Sequence, residues 1–269
     1  MYSLFTDDSI GVNDHIIFDD QLDKYDIPII FKDDIEIPKF LGEYTNNMIP
    51  NWNGGAMHFF LDDYRFNSIW SNPDGMIERI KANNVKTVLS PDFSVYNDYP
   101  LAMQLWNTYR NRVIGAYMQY KGLKVIPTVE WSTERSYDFC FLGVEKGSTV
   151  AVSNIGTVKS KDSEPRKIWY QGYLKMLEVL EPERVVCYGD MPPSLLNLVE
   201  TICYPTRWKG IISKQVRKGV AAQKGLFDYF DKSEYIPDEE PVSDNSNLTV
   251  KRLFDLPKGV NNNEEEIET

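Results

Sequence analysis

The chain has 269 residues, 42% of them hydrophobic and 13% aromatic, enough to bury a substantial core as one large or two small domains. No apolar run reaches the ~20 residues that span a bilayer, and MYSLFTDDSIG has neither a basic flank nor an apolar core, so neither a membrane span nor a signal peptide is expected. The net charge of −11 is unevenly spread: residues 1–50 carry 11 acids against 3 bases, residues 228–269 carry 12 against 4, and the middle is mildly basic.

In chain order, residues 1–56 alternate acidic pairs (Asp7-Asp8, Asp19-Asp20, Asp33-Asp34) with short apolar pieces broken by prolines. This reads as an extended arm packing on the body rather than a separate domain. The acidic ends either keep the protein soluble or cover a basic surface. The α/β body, 57–227, opens with a strand at Met57–Leu61, followed by Asp62-Asp63-Tyr64-Arg65. A short helix, Pro73 to Asn83, leads to a strand at Val85–Leu89. The stretch from Thr87 to Trp131 then reads strand, long helix, strand. Pro100 and Gly122 bracket the helix. Leu101, Leu105, Tyr109, Val113 and Tyr117 give it an apolar stripe, widened by Ala102, Trp106, Ala116 and Tyr120. Lys124–Val129 is β-branched and apolar and ends in Glu130-Trp131. Further strands are expected at Ser148–Val152, Arg184–Tyr188 and around Cys203-Tyr204, with Tyr137–Val144 of uncertain type. Further helices are expected at Pro165–Leu180 and Ser194–Thr201.

Five or six strand-then-helix units without a hairpin signature predict a parallel α/β fold. It is a TIM-barrel-like ring, complete or degenerate, with the N-terminal pieces supplying missing strands, or else an open doubly wound sheet. Both place ligands at the carboxyl ends of the strands. Those ends collect Asp62, Asp63, Arg65, Asp92, Ser94, Glu130, Trp131, Ser153, Asn154 and Asp190. Carboxylates crowded into one cleft either raise one another's pKa or require a cation.

Two chemistries follow. In one, two carboxyls work as acid and base, or nucleophile, on a glycosidic or N-glycosidic bond, with Trp131 as a stacking platform. In the other, Asp62, Asp63 and Asp190 hold Mg2+ or Mn2+ while Arg65 or Arg110 binds a phosphate. Ser94, Ser153 and Asn107 are further substrate-binding candidates. Arg110 can equally form an internal ion pair with a mouth carboxylate. Asp62 and Asp92 can also serve only as turn caps, and Glu130 as an arginine's partner.

Other features exclude chemistry. His15 and His58 are isolated, which argues against a histidine metal site or a Ser-His-Asp triad. Gly54-Gly55 and Gly143–Gly147 match no nucleotide-binding glycine loop, so no nucleotide cofactor is expected. Cys140, Cys187 and Cys203 fit reduced core thiols of a cytoplasmic protein. Arg207 to Lys224 has six basic residues and no acid, and its apolar edge makes it a docked surface helix or a nucleic-acid contact through Lys214, Arg217 and Lys218. That contact is the alternative to an enzyme: a non-catalytic nucleic-acid- or host-factor-binding protein. Residues 228–269 are acidic and expected to be largely disordered.

HFFLDDYRF, LSPDFSVY, LWNTYRNR, KVIPTVEW and FCFLGVEKGSTVAVSNIG, in that order over roughly residues 50–205, resemble a family of phages, plasmids and other mobile elements. It is known as domain of unknown function 4417. The resemblance implies a genomic setting and the cytoplasm of a bacterium or infected cell, and it implies no activity.

Overall fold

The computed structural model describes residues 21–44, 51–155, 157 and 163–206. It opens with two short antiparallel strands, β1 (Leu22–Asp23) and β2 (Ile27–Pro28). Tyr25 and Asp26 reverse the chain between them at φ values of 64° and 55°. No Gly or Asn marks that reversal, which is why the sequence shows no hairpin signature. The Asp23 carboxylate steadies it by accepting hydrogen bonds from the N–H groups of Lys24 and, far along the chain, Gly143.

The main strands all run parallel. β3 (Phe40–Glu43), β4 (Gly55–His58), β5 (Thr87–Leu89) and β6 (Lys124–Ile126) form one sheet in chain order. α1 (Ser68–Ser71) and α2 (Pro73–Ala82) connect β4 to β5, and α3 (Leu101–Tyr120) connects β5 to β6. β7 (Thr149–Ser153), β8 (Arg184–Tyr188) and β9 (Glu200–Tyr204) form a second sheet, crossed over by α4 (Ser163–Leu180) and α5 (Pro193–Leu196). A parallel bridge, Thr128 to Ala151, links the two sheets through Val129 N–H to Ala151 O and Ala151 N–H to Pro127 O, both 2.8 Å.

The strand β3 comes from the N-terminal stretch, as the proline-broken apolar pieces allow. The expected helix at 194–201 is cut short: Leu196 ends it and Glu200-Thr201 already belong to β9. The described residues therefore form a mixed α/β fold with two parallel sheets. No strand pairing among them closes a barrel; the outer edges meet instead where the Tyr204 hydroxyl donates to Pro38 O.

Period-two alternation sorts the core. Ala56, Leu89, Ile126, Ala151, Val186, Tyr188 and Tyr204 share one inward cluster drawn from six strands. Their neighbours Met57, Val88 and Val125 pack outward under α1, α2 and α3, while Val150, Val152, Val185 and Cys187 pack outward with Trp169, Tyr173 and Met176 of α4. Cys140 and Cys187 are buried thiols, and burial pushes Cys140 up to about 12.

The two helices of the first sheet start and stop as their sequence dictates. The Asn72 side chain accepts from Gly75 N–H and Pro73 takes the first position of α2. α3 closes at Gly122 (φ 86°), where Leu123 N–H returns to Met118 O at 3.0 Å in a Schellman arrangement.

The face that α3 buries differs from the apolar stripe. Gln104, Asn107, Thr108, Asn111 and Arg112 are buried, whereas Ala102, Trp106 and Tyr120 are exposed. The first half of α3 lies over the ends of β5 and β6, whose backbone groups have left the sheet and need partners. Asn111 accepts from Ser90 Oγ (2.7 Å) and donates to Thr128 O. Arg112, 1% exposed, donates to Asn111 Oδ1 and to the carbonyls of Thr128, Cys140 and Leu142. Among the described residues, no helix is long and apolar enough to cross a membrane.

Candidate active site at the strand ends

Seven parallel strands aim their carboxyl ends at one cleft of about 490 Å³. Glu43 arrives at the end of β3, Phe60, Leu61 and Asp62 just past β4, and Asp92, Ser94 and Tyr96 past β5. Val129, Glu130 and Trp131 follow β6, Ser153, Ile155 and Thr157 follow β7, and Tyr188 and Thr206 complete the wall from β8 and β9. This is the position that parallel α/β topology prescribes for ligands.

The segment after β5 is held by carboxylates. Asp63, half-buried behind it, accepts from Ser94 N–H (3.2 Å) and Ser94 Oγ (2.7 Å). Glu130 Oε2 accepts from Val95 N–H at 3.1 Å. From the other side, Asn107 of α3 donates to Ser94 O at 2.6 Å and accepts from Arg110 Nη2 at 2.6 Å. The Arg110 guanidinium covers the Phe93 ring at 3.9 Å. Burial lowers its pKa, and the charge of Asp63 opposes that shift.

Asp92 and Glu130 both line the cleft half-buried, near enough for the charge of Asp92 to act on Glu130. Desolvation, aided by the charge of Asp63, raises Asp92 to about 7. Desolvation raises Glu130 well above the usual carboxyl range, and the charges of Asp92 and Asp63 add to it; the Val95 N–H works against the shift. Both carboxyls are therefore easier to protonate than ordinary ones.

The remaining expected residues fall into place unequally. Asp62 lines the cleft exposed, and Arg65 lines it 3.8 Å from Glu43. Ser153 lines the cleft with its hydroxyl turned back toward Tyr188 O and Ile155 N–H. Trp131 lines the cleft and is 8% exposed. Its ring is seated against Trp169, Tyr173 and the Cα of Gly172, where any Cβ would fall 2.1 Å from it. It cannot present an open face, which corrects the stacking-platform expectation.

Asn107 and Arg110 stand behind Ser94 as supports and do not line the cleft. Asp190 is exposed outside it, its carbonyl accepting from Asn154 Nδ2. Asp62, Asp63 and Asp190 thus do not converge. Among the described residues, no group of three His, Cys, Asp or Glu is placed to hold a metal. Those residues do not fit the expected Mg2+ or Mn2+ site. His58 is buried against Tyr188, and desolvation lowers its pKa to about 3, so it is a neutral core residue. Lys214, Arg217 and Lys218 lie outside the described residues.

Sequence reading missed Glu43, Phe60, Tyr96 and Tyr188. Phe60 and Tyr188 stack at 5.2 Å with 9° between ring planes, and Tyr96 stands half exposed at the rim. Their signal was position: each lies at, or a few residues beyond, the end of a parallel strand.

The family model described as "Domain of unknown function (DUF4417)" matches residues 20–204. The "Gene 1 protein" of Mycobacterium phage L5 is 39% identical over 188 residues, covering 68% of this chain and 80% of its own length. The "Gene 1 protein" of Mycobacterium phage D29 is 42% identical over 157 residues, covering 58% of this chain and 57% of its own length. No solved structure matches the chain.

Proposed function

This chain belongs to the DUF4417 family, and from that premise we propose that its cleft is a hydrolase active site in which Asp92 and Glu130 act as an acid–base pair. The observation that carries the reading is the pair itself: two half-buried carboxyls lining one cleft at the mouth of parallel strands, both raised above the ordinary carboxyl range by desolvation. We further read the seven strands in chain order around one inward cluster as an incomplete TIM-like barrel.

The protonated carboxyl of the pair donates its proton to the leaving oxygen or nitrogen of a glycosidic or N-glycosidic bond. The ionised one activates water or attacks the anomeric carbon. Asp63 and Asn107 hold the Ser94-Val95 backbone so that the two carboxyls stay in register. The phage source of the relatives supports action in the cytoplasm of an infected cell.

The test is a rate assay of the full chain on nitrophenyl glycosides and on nucleosides. The wild type should release nitrophenol or free base. Asp92→Asn and Glu130→Gln should each slow that release by about 10²–10⁴-fold while remaining folded. Wild-type inactivity on the whole panel, or variants as fast as the wild type, contradicts the proposal.

A further inference from the structure

We infer that the cleft takes an uncharged, hydroxylated ring, such as a sugar or the ribose of a nucleoside, and discriminates against its phosphate ester. The inference rests on reading the cleft as a ligand site and adds to it the class of ligand.

The first argument is the fate of the backbone donors. A phosphate is ordinarily held by successive N–H groups at a strand-to-helix turn, with a cation nearby. The turn after β5 offers two such groups, Ser94 N–H and Val95 N–H. Both are already spent on the protein's own anions, Asp63 at 3.2 Å and Glu130 at 3.1 Å. The place where a phosphate would sit is thus filled by carboxylates.

The second argument is the cation inventory. Among the described residues, Arg65 is the one cation lining the cleft, and it stands 3.8 Å from Glu43. Arg110 is turned away, engaged by Asn107 and the Phe93 ring. Against Arg65 the lining sets Glu43, Asp62, Asp92 and Glu130. A phosphate dianion entering that field meets like charge at short range.

The third argument is what the lining does offer. The carboxyls of Asp92 and Glu130, both in the lining, present acceptors and, where one is protonated, a donor, the set that a hydroxyl pair requires. Tyr96, 51% exposed at the rim, gives apolar surface for a ring. Carboxyls and an aromatic rim suit a neutral polyol, and the one cation of the lining, Arg65, faces Glu43.

The test is calorimetric titration of the full-length protein with four sets of probes at millimolar concentration: nucleosides, their 5′-monophosphates, methyl glycosides and the matching sugar phosphates. At least one neutral probe should bind about tenfold or more tightly than its phosphate ester. Whether that probe is a nucleoside or a glycoside identifies the source of the ring. Glu43→Gln, which lowers the negative charge and releases Arg65, should narrow the gap by tightening the phosphate ester.

Phosphate esters that bind as well as or better than the neutral forms overturn the inference, as does no binding by any probe. Failure here is separable from failure of the catalytic reading. A neutral ring that binds but is never cleaved supports the ligand class and contradicts the acid–base pair. Cleavage of a preferred phosphorylated substrate does the reverse.

Discussion

The two sheets share a topology and divide the labour of the cleft. The ends of β3 to β6 bring every acid that lines it, Glu43, Asp62, Asp92 and Glu130, whereas β7 to β9 contribute Ser153, Ile155, Thr157, Tyr188 and Thr206. The difference continues behind the cleft. The acidic side rests on a buried polar network, with Asn107, Asn111 and Arg112 of α3 meeting the backbone of Ser94, Thr128, Cys140 and Leu142. The other side rests on aromatic packing of Trp131, Trp169 and Tyr173. Chemistry needs fixed polar atoms, and these survive burial only when hydrogen-bonded. A wall needs shape, and close packing supplies it.

Breaking each support tests that contrast, and the largest effect belongs to the polar side. Arg112→Met leaves the carbonyls of Cys140 and Leu142 without their donor and takes one of two donors from Thr128 O, so urea unfolding should show a loss of about 3–5 kcal/mol. On the aromatic side, Gly172→Ala forces a methyl to within 2.1 Å of the Trp131 ring. That overpacking should cost about 1–3 kcal/mol by the same measurement, with the carboxyl titrations unmoved.

The acid pair gives a pH dependence whose sign follows from its raised pKa. Asp92 goes from an ordinary 3.8 to about 7, so between those values the folded chain binds more protons than the unfolded one. Its contribution is fully present below pH 4 and is lost as pH rises through about 7, with a slope of at most about 1.4 kcal/mol per pH unit. Asp92→Asn should flatten that part of the stability profile measured by urea unfolding. The smallest effect is expected from Asn107→Ala. It removes the donor to Ser94 O and the acceptor for Arg110, costing about 1 kcal/mol in the same unfolding assay, and it should loosen Asp92 and Glu130 enough to shift their titration.

Much of this was legible in the chain. Asp62, Arg65, Asp92, Ser94, Glu130, Trp131 and Ser153 all line the cleft, because a β-branched run that stops at a polar residue marks the end of a parallel strand. The polar face of α3 was not legible. Asn107, Asn111 and Arg112 are buried because strand-end backbone far away in sequence demands donors and acceptors there. A stripe of Leu, Trp and Tyr says nothing of that demand. Trp131 looked like a platform because its sequence neighbour is a site carboxyl, yet the glycine that seats its ring lies 41 residues on, in α4. β3 was hidden in acidic, proline-broken sequence, and Glu43 with it.

The most direct measurement of the central claim is a carbon-13 NMR titration of the side-chain carboxyls, with Asp92→Asn and Glu130→Gln used to assign the two signals. Asp92 should titrate near pH 7 and Glu130 well above the ordinary range, and Asp92→Asn should lower Glu130 by removing a neighbouring charge. Two carboxyls that both titrate near pH 4, each indifferent to the other's substitution, would contradict the account.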